Sequence, residues 1–305
     1  MNGRFVDILC SWLALALCLG LAGCEPAPVA SPLRYEPLVP GPAPLRVAIH
    51  PLHNPQRLLA VYGPLVEVLQ ARLGEPVDIE ASRGYASYED KIRRRGPAVL
   101  LSNPWQTLLA QRHGYRVVAM AGDPDDFHGL LVARRDGPVH VPADLRGREI
   151  AYPAPTAVAA AMLPQWFLSR AGLAIDRDVK SRYVGSQESA LLNVWSGDTA
   201  AAGTWPQPWR AFQQTHPEKA AALHVLWRTG TLPGNAVMVR DDLPPAQAER
   251  LRGALLALHQ DAEGRRVLAA ARTARFSPAD DSTYGPVHAF VDAFEREVRP
   301  IEARP

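Results

Sequence analysis

The chain has 305 residues, of which 47% are hydrophobic and 21% charged, with a formal net charge of +2. These are the values of a folded globular protein, and they exclude both a disordered chain and a basic nucleic-acid binder. The one dense basic run, Arg93-Arg94-Arg95, reads as a solvated helix end.

The first element is a targeting segment. Arg4 precedes an almost wholly apolar stretch from Ile8 to Ala22, too short for a comfortable bilayer span of about 20 residues, which closes on Leu21-Ala22-Gly23-Cys24. Small residues set just before a cysteine resemble the bacterial lipobox. That resemblance implies a signal peptide over 1–23, cleavage before Cys24, and acylation of the Cys24 thiol and the new amino terminus. Several acyl chains make a stable anchor where one is marginal. Cys10 and Cys18 fall in the leader, so a lipidated Cys24 leaves no thiol for a disulfide, a zinc site or a nucleophile. Residues 24–44 carry prolines at 26, 28, 32, 37, 40, 42 and 44 and read as a semi-rigid tether of roughly 3 Å per residue. The residue after the cysteine is Glu25 rather than the aspartate associated with inner-membrane retention, which leaves an outer-membrane address open.

From Leu45 short apolar strands alternate with amphipathic helices, the pattern of an α/β protein with parallel sheet. Strands are expected at 45–49, 77–80, 99–101, 117–121, 130–133, 149–152, 181–184, 200–203 and 236–240. Between them lie helices, the first with Leu58, Tyr62, Leu65, Leu69 and Leu73 on one face and Gly74 at the C-cap position. Others run over 88–94, 105–112, 157–170 and 189–196, and a tail helix carries Leu251, Leu255 and Leu258. Two such sets suggest a bilobed binding protein, with ligand held where strand ends and helix N-termini face a cleft.

Landmarks along the chain sharpen this. They are Ile49-His50-Pro51 with Asn54-Pro55, Ser102-Asn103-Pro104, Asp144-Leu145-Arg146-Gly147-Arg148, Tyr183-Val184-Gly185-Ser186-Gln187-Glu188, Leu232-Pro233-Gly234-Asn235, and Phe276-Ser277-Pro278 through Tyr284. In their order and spacing the chain resembles the phosphate/phosphite/phosphonate-type periplasmic solute-binding proteins of ABC importers. The resemblance implies a type II periplasmic binding fold, two α/β lobes joined by a two-segment hinge. Lobe 1 would comprise 45–133 plus 236–298 and lobe 2 134–235, with 299–305 a C-terminal tail and Leu130–Arg134 and Leu232–Val237 the crossing segments.

The resemblance also places a Ser-Thr-Ser-Gly oxyanion run on Ala157-Val158-Ala159-Ala160, where the hydroxyls are missing. Thr156, one residue early, reads as an N-cap or as the one surviving hydroxyl. The family's histidine falls on Gln187 and its cation-pairing acid on Ala200. Backbone N–H groups of 157 and 158 survive any side-chain change. Trp105, Tyr152 and Trp205, each at a predicted strand end, suggest an aromatic lining for a flat or cationic ligand, with core packing as the alternative. His50, Asn54, Gln187, Glu188 and Thr204 are the polar candidates to orient it.

His50 and His53 lack a third metal ligand identifiable from spacing, and no cofactor is implied. No Gly-x-Ser-x-Gly elbow, His-Glu-x-x-His helix or phosphate-cradling loop is present, and the segment Gly84–Tyr88 lacks an elbow's second glycine. The expectation is therefore a binding protein rather than an enzyme. Its partners would be a small-molecule ligand, the membrane through the lipid anchor, and an inner-membrane ABC permease. The alternative is an envelope sensor protein, served by a solute-binding domain that has lost its ancestral ligand.

Overall fold

The computed structural model describes residues 43–122 and 124–301. The leader, Cys24 and the tether as far as residue 42 lie outside the described residues. Two sheets organise the rest. The first has its strands in the order 276–278, 115–121, 236–240, 99–102, 45–49, 77–80, and the second in the order 180–183, 149–152, 201–204, 128–134, 223–231.

In chain order the first lobe begins with β1 (Leu45–Ile49), α1 (Pro55–Leu73), β2 (Val77–Glu80), α2 (Tyr85–Arg93), β3 (Val99–Ser102), α3 (Pro104–Gln111) and β4 (Tyr115–Ala121). The strands β2, β1 and β3 pair in parallel, as connections through helices require. α1 shows why these segments fold locally. Asn54 Oδ1 accepts the Arg57 N–H at 2.9 Å, Pro55 occupies the first turn, and Gly74 ends the helix in the left-handed region at φ 67°. Its buried face, which includes Leu58, Tyr62, Leu65 and Leu69, packs into the core. Each such side chain contributes roughly 1.5–3 kcal/mol on burial.

The second lobe holds β5 (His128–Arg134), β6 (Glu149–Tyr152), α4 (Leu163–Arg170), β7 (Lys180–Tyr183), α5 (Gln187–Ser196), β8 (Ala201–Thr204), α6 (Pro206–Thr215), α7 (Pro217–Ala221) and β9 (Leu223–Thr231). The chain then returns through β10 (Ala236–Arg240), α8 (Pro245–Ala257), α9 (Ala262–Ala270), β11 (Phe276–Pro278) and α10 (Gly285–Glu297).

One boundary differs from the sequence reading. β5 pairs antiparallel with β8 and β9, so residues 128–133 belong to the second sheet, and the crossing falls before His128 rather than at Leu130–Arg134. An unbroken apolar run such as Leu130-Leu131-Val132-Ala133 is buried on both faces whichever sheet it joins. Its composition therefore does not name the partner. The sequence reading also lacks β9, whose His224, Arg228 and Thr229 give it no clean alternation.

The C-terminal segment adds contact between the lobes. Phe290 of α10 meets Trp166 of α4 edge-on at 5.8 Å, and the Arg299 guanidinium donates to Pro155 O at 2.8 Å and Gln165 Oε1 at 2.9 Å. Residues 299–301 are thus docked, with Ile301 buried.

The backbone of β8 and the helical turn Val158–Met162 that opens α4 approach closely. A Cβ on Gly203 would lie 2.0 Å from Ala160 O and 2.6 Å from the Tyr152 ring. Gly203→Ala should therefore destabilise the protein by about 2 kcal/mol, on the order of 5 °C in Tm. Gly230→Ala, with open space at its Cβ, is the control expected to stay near wild type.

Candidate functional site

The carboxyl ends of β1, β3 and β8 deliver His50, Asn103 and Trp205 to the seam between the sheets, and the loop before β10 delivers Asn235. Opposite them stand Ala157–Ala160 and the α5 residue Gln187. Together with Tyr85 and Phe127 these residues enclose a recess of about 210 Å³. The arrangement follows from topology, since loops beyond strand ends are where an α/β sheet places a ligand.

His50 is 2% exposed, and neither ring nitrogen has a hydrogen-bond partner among the described residues. Burial first, and then the charge of His53, pulls its pKa down to about 3. The ring is neutral at physiological pH, with one N–H to donate and one nitrogen to accept. The Tyr85 ring stands edge-on to it at 6.5 Å. Gln187 Nε2 donates to the Tyr85 hydroxyl at 3.4 Å, while Gln187 Oε1 and Asn235 Oδ1 are buried with no partner among the described residues. Unpartnered buried polar atoms are rare in folded proteins, and three residues supplying them to one recess make it the candidate site.

The turn Val158–Met162 is π-helical and runs directly into α4. Its first bonds are made by Ala161 N to Ala157 O at 2.7 Å and Leu163 N to Val158 O. The N–H groups of Val158, Ala159 and Ala160 are therefore those that a helix start leaves without an intrahelical partner, at the positive end of the helix. Backbone alone gives this turn its capacity for an anion.

Thr156 plays a different part from either role read in the sequence. Its hydroxyl donates to Glu89 Oε1 at 2.7 Å, and its carbonyl accepts from Asn103 Nδ2 at 3.1 Å. It caps no helix and is bound across the seam to the first lobe. Burial pushes the Glu89 carboxyl up, opposed by the hydrogen bond from Thr156.

The remaining expectations divide. His50, Ala157, Val158, Gln187 and Trp205 line the recess. Trp105 and Tyr152 do not. Both pack in the hydrophobic core, Tyr152 fully buried with its ring 6.1 Å from that of Tyr183, so of the expected aromatic lining Trp205 remains, joined by Phe127 and Tyr85. Thr204 is fully buried away from the recess lining, and Asn54 is the exposed N-cap of α1. Glu188 stands in a neighbouring surface recess with His53 and Arg57, accepting from His216 Nε2 at 2.7 Å and facing Arg57 at 3.7 Å. Ala200 precedes β8 at the end of the strand opposite Trp205, so the expected cation-pairing position does not reach the recess. Sequence reasoning missed Tyr85, Asn103, Phe127 and Asn235 as site residues. The two asparagines sit in the Ser102-Asn103-Pro104 and Leu232–Asn235 landmarks beside strand ends, which was signal enough. Tyr85 carried none.

Two outcomes follow. Trp105→Ala should cost about 3–5 kcal/mol of stability while leaving the affinity of the folded protein for its ligand unchanged, as measured by denaturation and calorimetry. His50 binds a proton less readily folded than unfolded, so stability falls as pH drops from 6.5 toward 3. His50→Gln should flatten that acid limb, by up to about 4 kcal/mol at its extreme.

The fold has well-characterised counterparts. A binding-protein component of an ABC phosphonate transporter from Pseudomonas aeruginosa superposes with a TM-score of 0.76 at 20% identity, over 85% of this chain and 88% of that one. PhnD1 from Prochlorococcus marinus, in complex with methylphosphonate, gives 0.76 at 17% identity over 83% and 98%. XAC2383 from Xanthomonas citri, bound to ATP, gives 0.67 at 22% over 84% and 99%. At these identities the likeness is one of fold. The family model for the periplasmic substrate-binding protein of phosphonate ABC transporters matches residues 47–284. With most of its length matched, the chain belongs to that family.

Proposed function

We propose that the protein is a lipid-anchored receptor that captures a compact tetrahedral oxyanion of the phosphonate or phosphite kind and presents it to an inner-membrane ABC permease. The observation that carries this reading is the convergence of His50, Gln187 and Asn235, each with a buried unpartnered polar atom, on the amino end of the 158–170 helix.

The chemistry is complementary. An oxyanion accepts from the N–H groups of Val158, Ala159 and Ala160 and from the His50 imidazole. A hydroxyl on the same phosphorus donates to Gln187 Oε1 or Asn235 Oδ1. Charged hydrogen bonds of this kind are worth about 1.5–3 kcal/mol each, which offsets the lost serine hydroxyls of the family's run. No carboxylate lines this recess among the described residues, so an ammonium group has no counter-ion there. No helix among the described residues is long and apolar enough to cross a membrane. The lipobox resemblance puts membrane attachment on Cys24, and Cys24→Ala should move the protein from the membrane fraction.

Calorimetric titration with phosphate, phosphite and methylphosphonate tests the ligand. At least one should bind, and His50→Ala and Asn235→Ala should each weaken it tenfold or more. Silence across the panel would contradict the transport reading and favour an envelope protein as the partner.

A further inference from the structure

A second recess, of about 390 Å³, shares Phe127, Trp205 and Asn235 with the first and extends to Tyr62, Gln207 and Arg272. Its polar wall is held in place by Gln207, whose Nε2 donates to Ala271 O at 2.7 Å.

Arg272 is unusual in three respects. Its backbone lies in the left-handed region at φ 52°. There it closes α9 in a Schellman arrangement, Arg272 N bonding Ala269 O and Thr273 N bonding Leu268 O, each at 3.0 Å, at the position where glycine is the strain-free residue. The guanidinium also has no carboxylate partner among the described residues, whereas Arg57 faces Glu188 and Arg210 pairs with Asp126. Finally, Arg272 is crowded by like charge. Burial and the neighbouring Arg57 and Arg210 hold its pKa down, and the field of Arg57 and Arg272 adds to the burial that brings His53 to about 4. The one aspartate on this wall, Asp126, is engaged by Arg210.

An unpaired guanidinium among like charges is relieved by an anion and by nothing else on this wall. Asn235, whose buried Oδ1 lacks a partner, lines both recesses and links them.

Resting on the phosphonate-receptor reading above, we infer that Arg272 forms a second anion subsite and that the ligand class is a phosphonocarboxylate. The phosphonate sits at the helix start and a carboxylate one or two carbons away meets Arg272. The preferred ligand carries two acidic groups, and an aminoalkylphosphonate, with a cation in that place, is rejected.

The test is calorimetry on the full chain in detergent with methylphosphonate, phosphonoacetate and 2-aminoethylphosphonate. Phosphonoacetate should bind at least tenfold tighter than either of the others, with an advantage that shrinks as salt is raised. Arg272→Gly suits the left-handed backbone and so preserves the fold. It should erase the tenfold advantage and leave methylphosphonate within twofold of wild type, while Arg272→Lys retains part of the advantage. If methylphosphonate binds and phosphonoacetate binds no tighter, the subsite is wrong and the receptor reading stands. A tenfold advantage that survives in Arg272→Gly likewise overturns the assignment. If none of the three binds, the oxyanion reading itself fails and the subsite with it.

Discussion

The site depends on a small set of hydrogen bonds that cross from one lobe to the other at Thr156. The first lobe supplies Asn103 Nδ2 to the Thr156 carbonyl and Glu89 Oε1 to its hydroxyl. These bonds lie in buried surroundings, where leaving one partner unsatisfied costs about 1–3 kcal/mol. They fix the residue that immediately precedes Ala157, and so set the start of the helix against His50. Asn103 is itself fixed, its Oδ1 accepting the Gln106 N–H at 2.9 Å as the N-cap of α3. The position of the turn Val158–Met162 in one lobe is thus tied to a helix cap in the other.

The electrostatics follow from the same geometry. No full charge lines the recess among the described residues, and its one titratable imidazole is held neutral by burial. In the proposed reading, recognition of the phosphonate group rests on oriented dipoles: backbone N–H groups at a helix start, a neutral imidazole and two side-chain amides. In a site of low polarity such dipoles act strongly. Full charges sit further out, where Arg57 and Glu188 meet across the lobes at 3.7 Å.

Much of the fold was legible in the sequence, because period-two and period-3.6 patterns report burial directly. β1, β2, β6 and β10 fall where alternation and apolar runs placed them, and α1 announced itself by Asn54, Pro55 and Gly74. Sheet membership was not legible for β5, since buried strands look alike whichever neighbour they choose. The site was read in part. His50, Gln187 and Trp205 stand beside strand and helix ends, where position is implied by local sequence. Trp105 and Tyr152 occupy equivalent strand ends yet pack inward, because which way a ring points depends on tertiary packing that no local pattern encodes. Thr156 was read as an N-cap or a surviving oxyanion hydroxyl, and neither role could be tested locally because its hydroxyl partner, Glu89, is 67 residues away.

The most direct test of this account is a nitrogen-15 NMR titration of the protein with methylphosphonate. The account predicts that the backbone amides of Val158, Ala159 and Ala160 and the side-chain amides of Gln187 and Asn235 shift together, saturating with one affinity. Saturable shifts confined to other residues, or no shifts at these amides at millimolar ligand, would contradict it.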